Sequence, residues 1–480
     1  MNNIKSQTIK GVIWSSIERF SIQGVQFVLS IIMARLLSPN DYGLIGIVFV
    51  FISISQVFID AGFTNALIQK QNRSEADFST VFYINFSISC IFYIILFFTA
   101  PIIASFYENT LLTSIIRVYS ISLILNSLIA VHRTKLVIAV DFKTQTKISF
   151  TASVISGIIG VSCAYTGCGV WSLVIQTLVL ATLSIILYNY YVKWKPILKF
   201  SKESFHNLFS FGSKLLVASL ISAIYNNIYI FIIGKKFSTY SLGLYTRADH
   251  FSQFVSANIS SILTRVSFPI LSQIQDDDSR LIKAYSKYIK MSVLIIFPLI
   301  LGLCGISKPL VLFLLSEKWA DCIILLQILC FSYLWNCVIS VNLNLLYVKG
   351  RSDLVLKLEI VKKTIAFTIL FVSLYFDLIG MCLGLVLNAL IAFYLNTYYT
   401  KKLLNYGFGE QMKEIAPYLI LSLFIMAEAL FISSYIETPL LSIIISLIVC
   451  TVSYVSICYA LKLDAAMELI DILKRKNYEF

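Results

Sequence analysis

The stretch FSTVFYINFSISCIFYIILFFTAPIIA, residues 78–104, contains no charged residue and no alternation of apolar with polar positions. A helix needs roughly 20 mostly apolar residues to cross the hydrocarbon core of a bilayer. This run is long enough to cross once, and too continuous to be a barrel strand. It reads as a membrane-spanning helix.

Comparable runs fill the chain on both sides of it. We place spans at about 11–34, 41–67, 78–104, 111–138, 146–166, 170–191, 207–233, 240–268, 284–306, 320–347, 353–376, 378–400, 415–435 and 439–461. Within the segment 307–347, Pro309–Leu315 reads either as a short re-entrant helix or as a loop plug. Hydrophobic residues make up 58% of the chain and charged residues 13%, with a mean hydropathy of +0.84. That is far from an ordinary soluble domain. With 480 residues spent on about fourteen spans, no soluble catalytic domain is expected. The expected fold is an all-α integral membrane protein.

The net charge of +13 needs a topological reading. Lys and Arg collect in cytoplasmic loops of membrane proteins. With the N-terminus inside, about 23 of the 38 basic residues fall on the cytoplasmic side. They include Arg133, Lys135, Lys143 and Lys147, then Lys193, Lys195, Lys199 and Lys202, then Lys401 and Lys402, and Lys474, Arg475 and Lys476. Arg35, Lys235, Lys236, Lys308 and Lys318 fall outside. Both termini are therefore expected in the cytoplasm, and the basic loops are expected to meet anionic lipid headgroups, with no nucleic acid as partner. Abundant Ile, Lys and Asn fit an AT-rich bacterial genome. The first apolar segment reads as a retained span: it is long, carries Glu18 and Arg19, and lacks a small-residue cleavage pattern. Cysteines are scattered, and only Cys163 and Cys168 lie close, as a disulfide or as two unrelated small residues. No spacing resembles a metal site, and no catalytic group, metal or cofactor is expected.

The segment KWKPILKFSKESFH, residues 193–206, carries a proline and four lysines. It divides a first six-span lobe, 1–191, from a second, 207–400, through a cytoplasmic linker at 192–206. Residues 401–480 hold another linker, helices 13 and 14, and a basic cytoplasmic tail. The two lobes look related. LSPNDYGLI at 37–45 aligns with FSTYSLGLY at 237–245, so that Ser38, Gly43 and Leu44 match Ser238, Gly243 and Leu244. Each segment joins the first two spans of its block. This reads as a parallel repeat, the alternative being two helix-initiating turns with chance identities.

Ionisable groups inside spans are costly and are default functional candidates. In the first span Ser16, Arg19, Gln23, Gln26 and Ser30 share one helical face. Such a face either lines a wet cavity or hydrogen-bonds a neighbouring helix. Glu18 sits one position round. The second span presents Ser53, Gln56, Asp60 and Thr64 on one face. The first span of the second block carries Lys214, Ser222, Asn226 and Tyr229; the next carries Arg247, Asn258, Ser261 and Arg265, with Asp249 and His250 beside Arg247. Arg247 and Arg265 lie roughly 27 Å apart along a helix, one near the outer mouth and one near the inner. Elsewhere the spans are greasier, apart from Glu428 in the thirteenth, read as a hydrogen-bonded carboxyl.

Residues 34–43 (ARLLSPNDYG), 60–69 (DAGFTNALIQ) and 242–248 (LGLYTRA) resemble the polysaccharide transporter family of the multidrug/oligosaccharidyl-lipid/polysaccharide exporter superfamily. This group contains the Wzx-type O-antigen and colanic-acid flippases. The resemblance implies two pseudo-symmetric six-helix lobes in a V, with the first two helices of each lobe lining a central cationic cavity. It also implies two C-terminal helices that form a groove for a lipid tail in related flippases. The implied activity is translocation of an undecaprenyl-diphosphate-linked oligosaccharide from the inner to the outer leaflet by alternating access. Implied partners include a polysaccharide polymerase and chain-length proteins.

The residues fit a lipid-linked oligosaccharide. Arg19, Arg247 and Arg265 suit the diphosphate, because the guanidinium offers a planar fork of donors. Gln23, Gln26, Asn226 and Asn258 suit the sugars. Glu18, Asp60 and His250 are candidates for ion coupling. The competing readings are a drug/cation antiporter of the same superfamily, which favours acidic cavity residues, and a membrane polysaccharide polymerase or ligase, which needs a sizeable outer loop. The largest outer segment here, about 307–319, is short and apolar, and no acid–base pair or nucleophile stands out.

Overall fold

The computed structural model describes residues 21–60 and 62–468, apart from the side chains of residues 65, 207, 210, 211, 214, 215, 218 and 261–266. Among the described residues the regular structure is helical, without a strand. By contact the chain divides into two compact units, residues 1–243 and 244–480.

The first unit contains α1 (Ser21–Leu36), α2 (Pro39–Asp60), the short α3 (Phe63–Gln69), α4 (Glu75–Phe106), α5 (Leu111–Tyr119), α6 (Ile121–Ile138), α7 (Phe142–Tyr165), α8 (Trp171–Val192) and α9 (Lys202–Lys236). It ends in the first turn of α10 (Thr239–Gln273). The second unit takes the rest of α10 and then α11 (Asp278–Gly305), α12 (Ser307–Leu314), α13 (Cys322–Leu334), α14 (Asn336–Val348), α15 (Ser352–Ser373), α16 (Leu378–Leu404), α17 (Phe408–Tyr435) and α18 (Pro439–Ala460). Ten segments among the described residues are long and apolar enough to cross a membrane. In α15 the cluster Lys357, Glu359, Lys362 and Lys363 interrupts the apolar run, and Glu359 pairs with Lys362.

Three expected boundaries change. The second span stops at Asp60 rather than continuing to 67. Gly62 there adopts φ 73°, and a Cβ on it would lie 2.8 Å from the Gly212 Cα of α9. Only glycine combines that left-handed backbone with so close an approach, so the chain turns and restarts as α3. The fourth span is two helices meeting at Ser120, and the tenth is two meeting at Trp335. The break thus recurs in the fourth span of both sequence blocks. Pro309–Leu315 resolves as the helix α12, which packs through Ile306 and Leu310 on Ile425, Ala429 and Cys450 of the last two helices. Cys163 and Cys168 are free thiols.

The aligned turns at 37–45 and 237–245 have matching local structure. Ser38 caps α2 and Ser238 caps α10: each hydroxyl accepts the backbone N–H three residues on, from Asp41 at 3.3 Å and from Ser241 at 3.1 Å. The two turns also meet within the first unit. A Cβ on Gly43 would lie 1.8 Å from the Thr239 carbonyl oxygen, and one on Gly243 would lie 1.8 Å from that of Pro39. The Thr239 hydroxyl adds a bond to the Asn40 side-chain oxygen at 2.9 Å. The matching glycines therefore serve one purpose, reciprocal close approach of two backbones.

The second unit is organised on α11. Gly305 lets α17 approach, since a Cβ there would meet Ala429 Cβ at 2.6 Å. Below it lies a buried polar network. The Tyr285 hydroxyl donates to Asn342 Oδ1 at 2.5 Å, and the Gln411 amide donates to the same oxygen at 3.0 Å and to the Thr400 hydroxyl at 3.2 Å. Tyr406 and Ser286 both donate to Glu414, each at 2.5 Å. Polar groups left unpaired in an apolar medium cost several kcal/mol, so this network fixes how α11, α14, α16 and α17 register. Glu428 is hydrogen-bonded, accepting from Ser453 at 2.9 Å.

Gly43→Ala and Gly243→Ala are each expected to destabilise the folded protein by about 2 kcal/mol or more, because the obstacle is backbone that cannot rotate aside. Gly302→Ala, with nothing within 4 Å of the added carbon, should leave stability unchanged or raise it. Thermal unfolding of the three variants in detergent checks this; equal midpoints for all three would contradict the close contact.

Candidate functional site

A cavity of about 810 Å³ lies within the first unit, walled by α2, α5, α6, α8 and α9. Helical periodicity builds its polar side. On α2, Ser53, Gln56 and Asp60 follow at intervals of three and four and face it together. On α6, Ser122, Asn126 and Arg133, at intervals of four and seven, also share one face toward it, with Thr134 beside them. Thr64, Thr177 and Ser219 add hydroxyls from α3, α8 and α9. Asp60, Asn126 and Arg133 are exposed to the cavity. The Gln56 amide donates to Asp60 Oδ1 at 3.2 Å, and the Arg133 guanidinium acts electrostatically on the Asp60 carboxylate. Among the described residues, one cation, one carboxylate and two amides thus face one volume. That set can hold an anion at the guanidinium and hydroxyl-rich groups at the amides.

Beyond the Asp60 end of α2, side-chain contacts clasp α3, the start of α4 and the segment after α8 together. Ser74 caps α4, and Asp77 answers it in a capping box. The buried Asp77 carboxylate also accepts Lys70 at 2.7 Å. Arg73 donates to the Leu67 and Ile68 carbonyls at 2.6 Å each, satisfying the last turn of α3. Glu75 receives Lys135 of α6 at 2.8 Å and the Trp194 indole N–H at 2.7 Å. Trp194 in turn offers its carbonyl to the His132 ring at 3.2 Å. The chain after α8 is laid along α4 by Ile197 N–H to the Ser79 hydroxyl and Ser201 N–H to the Thr80 hydroxyl, at 3.0 and 3.1 Å. At the far end Lys235 donates to the Phe106 carbonyl at 2.7 Å and to Glu108 at 2.9 Å, and holds the Glu108 carboxyl below its ordinary range.

The structure distributes the candidates read from sequence. Arg19 and Glu18 lie outside the described residues, and so do the side chains of Lys214 and Arg265. Gln26 is exposed and Gln23 half-buried on α1. Asn226 is exposed on α9. Arg247 is buried in the second unit, with its guanidinium 5.7 Å from the centre of the Trp319 ring. Asp249 accepts the Tyr333 hydroxyl at 2.6 Å, and His250 is exposed. Asn258 is half-buried and donates to the Phe254 carbonyl one turn back at 2.8 Å. Among those of these candidates that are described, Asp60 alone lines the polar cavity.

Sequence reasoning missed Arg133 and Asn126. It assigned Arg133 to the belt of cytoplasmic charge because the residue lies near a span end. The spacing Ser122, Asn126, Arg133 held the signal, since intervals of four and seven keep one helical face.

The family described as "Polysaccharide biosynthesis protein" matches residues 32–324, more than half of the chain. The chain belongs to that family. It is 27% identical over 357 residues to the teichuronic acid biosynthesis protein TuaB of Bacillus subtilis, covering 74% of each chain. It is 25% identical over 366 residues to the lipopolysaccharide biosynthesis protein WzxC of Escherichia coli, covering 75% of this chain and 74% of that one. In three dimensions it resembles the lipid II flippase MurJ in an inward closed conformation, with a TM-score of 0.71 at 16% identity over 94% of this chain and 99% of that one. An inward-facing multidrug resistance transporter follows at 0.64 and 15% identity, over 82% and 98%. The protein therefore has the fold of these multi-pass exporters, as residues 34–43, 60–69 and 242–248 implied. The motif residues now have physical roles. Ser38 and Asp41 cap α2, Gly43 and Gly243 permit the backbone approach, and Gly62 makes the turn between α2 and α3.

Glu75→Ala removes the acceptor shared by Lys135 and Trp194. The segment after α8 should loosen, with trypsin cutting after Lys193 and Lys199 several times faster in the solubilised protein. An unchanged cleavage rate would show that the clasp does not hold the segment.

Proposed function

We propose that this protein is a flippase. It moves an undecaprenyl-diphosphate-linked oligosaccharide repeat unit from the inner to the outer leaflet by alternating access, for assembly of a surface polysaccharide such as O-antigen, capsule or exopolysaccharide. The observation that carries this reading is the polar cavity inside an otherwise apolar helical unit, with Arg133 among amides and hydroxyls. In the family's relatives the printed roles are teichuronic acid and lipopolysaccharide biosynthesis, and the likeness to a lipid II flippase concerns the fold.

The chemistry follows from the lining. The guanidinium of Arg133 matches a diphosphate through paired N–H donors, and exchanging water for that partner in a low-dielectric site strengthens the bond. Gln56 and Asn126 take sugar hydroxyls. Asp60 competes with the diphosphate for Arg133, so a proton or sodium ion on Asp60 releases the guanidinium to the substrate. This gives Asp60 the coupling role. Arg19, Gln23, Gln26, Asn226, Arg247, Asn258 and Arg265 remain candidates for the substrate path, and Glu18 and His250 for coupling, in other steps of the cycle. On this reading the lobes are residues 1–191 and 207–400, fourteen helices cross the bacterial inner membrane, both termini are cytoplasmic, and the clasp around Glu75 and Asp77 faces the cytoplasm. The protein transports and is no enzyme; a polymerase and chain-length proteins act after it.

A second reading, drug/cation antiport, draws on the exposed Asp60 carboxylate. The two separate by substitution. Arg133→Ala should abolish surface polysaccharide in the native host and Arg133→Lys should restore part of it, while complete lipid-linked repeat units accumulate on the cytoplasmic leaflet as they do on gene deletion. Normal surface glycan after deletion would sink the flippase reading. Single repeat units reaching the outer leaflet without polymerisation would point to a polymerase instead.

A further inference from the structure

Behind the polar cavity the first unit carries a second, apolar groove of about 620 Å³ between α2, α3, α4 and α9. Its only polar lining groups among the described residues are the Ser87 hydroxyl and the Tyr83 phenol. Aromatic rings dominate. Phe58 stacks on Phe92 with centroids 5.0 Å apart, and Phe63, Phe205 and Phe209 form a triangle with centroids 5.4–6.2 Å apart. The groove is open on its outer side, where Phe209 is 47% and Ile91 54% exposed.

Two features tie it to the cavity. Leu216 lines both. Phe58 and Asp60 are two positions apart on α2, roughly 200° round the helix, so the last turn of α2 presents a carboxylate to one side and an aromatic ring to the other. The wall between a wet, cationic volume and a dry, aromatic one is a single helix end. An amphiphile whose charged head sits in the cavity must send its chain out without crossing polar lining. The adjoining groove shares Leu216 with the cavity and offers apolar lining to such a chain.

We propose that this groove binds the first isoprene units of the polyprenyl chain whose diphosphate occupies the Arg133 cavity; this rests on the flippase reading. The volume falls within the roughly 300–1,000 Å³ of sites that enclose a small ligand, enough for a few branched units and not for the whole chain. Methyl-branched, unsaturated units suit ring faces set at varied angles better than a straight acyl chain does. The site differs from a groove on α17 and α18. There α17 is engaged on one side by α11 and on another by α18.

The test uses full-length protein in phospholipid nanodiscs, irradiated with a polyprenyl diphosphate carrying a diazirine in its first isoprene units. A diazirine-bearing phosphatidylglycerol serves as comparison. Adducts are expected in 83–92 and 205–216, competed by unlabelled polyprenyl diphosphate and not by phosphatidylglycerol. Ser87→Trp, which fills the groove from an exposed position, should lower them about tenfold with unchanged elution and thermal midpoint; if it fails to fold, Ile91→Trp takes its place. Equal labelling by phosphatidylglycerol would make the groove a bulk-lipid surface and overturn the proposal. Competed adducts confined to 408–460 would overturn it while leaving the flippase reading standing. No competed adduct anywhere would overturn both.

Discussion

A polar side chain held in hydrocarbon needs either a partner or a wet cavity, and the two units meet that requirement differently. In the second unit the solution is pairing: Tyr285, Asn342, Gln411 and Thr400 bond one another, and Glu414 collects two hydroxyls. In the first unit α2 and α6 turn their polar faces toward a shared volume instead. The first arrangement consumes its hydrogen-bonding capacity and sets helix register. The second leaves a guanidinium, a carboxylate and amides lining an open cavity.

The cavity depends on backbone geometry at its edges. Glycine at 62 ends α2 one turn past Gln56, so that Asp60 sits at a helix end beside the α6 face. Had α2 run on to residue 67, Phe63 and Asp60 would lie three positions apart on neighbouring faces of one rod. The break instead lets α3 carry Phe63 to the apolar side while Thr64 stays on the polar one. The two sides of that helix end therefore carry opposite chemistry within one turn.

The repeat at 37–45 and 237–245 shows what a short identity can mean. Three matching residues in nine are weak by count. They gain weight because each has a mechanical role in both copies: the serine caps a helix, and the glycine admits a carbonyl of the other copy at a distance no side chain tolerates. The same two mechanical needs, a cap and a close backbone approach, are met by the same residue types in both segments.

Hydrophobic length alone determined the class of this protein, because spans announce themselves locally, one run of about 20 residues at a time. The helical stripe Ser53, Gln56, Asp60 was legible for the same reason: side chains on one helix face are fixed by spacing. What sequence left unsettled was which faces meet. Arg133 looked like one more basic residue at a span end, and only the packing of α6 against α2 turned it into the cation of a cavity. Arg247 was legible only as a charge inside a span, and its buried place over Trp319 came from the fold. Periodicity encodes the direction a side chain leaves its own helix. Its surroundings depend on residues dozens of positions away, which only the tertiary structure brings together.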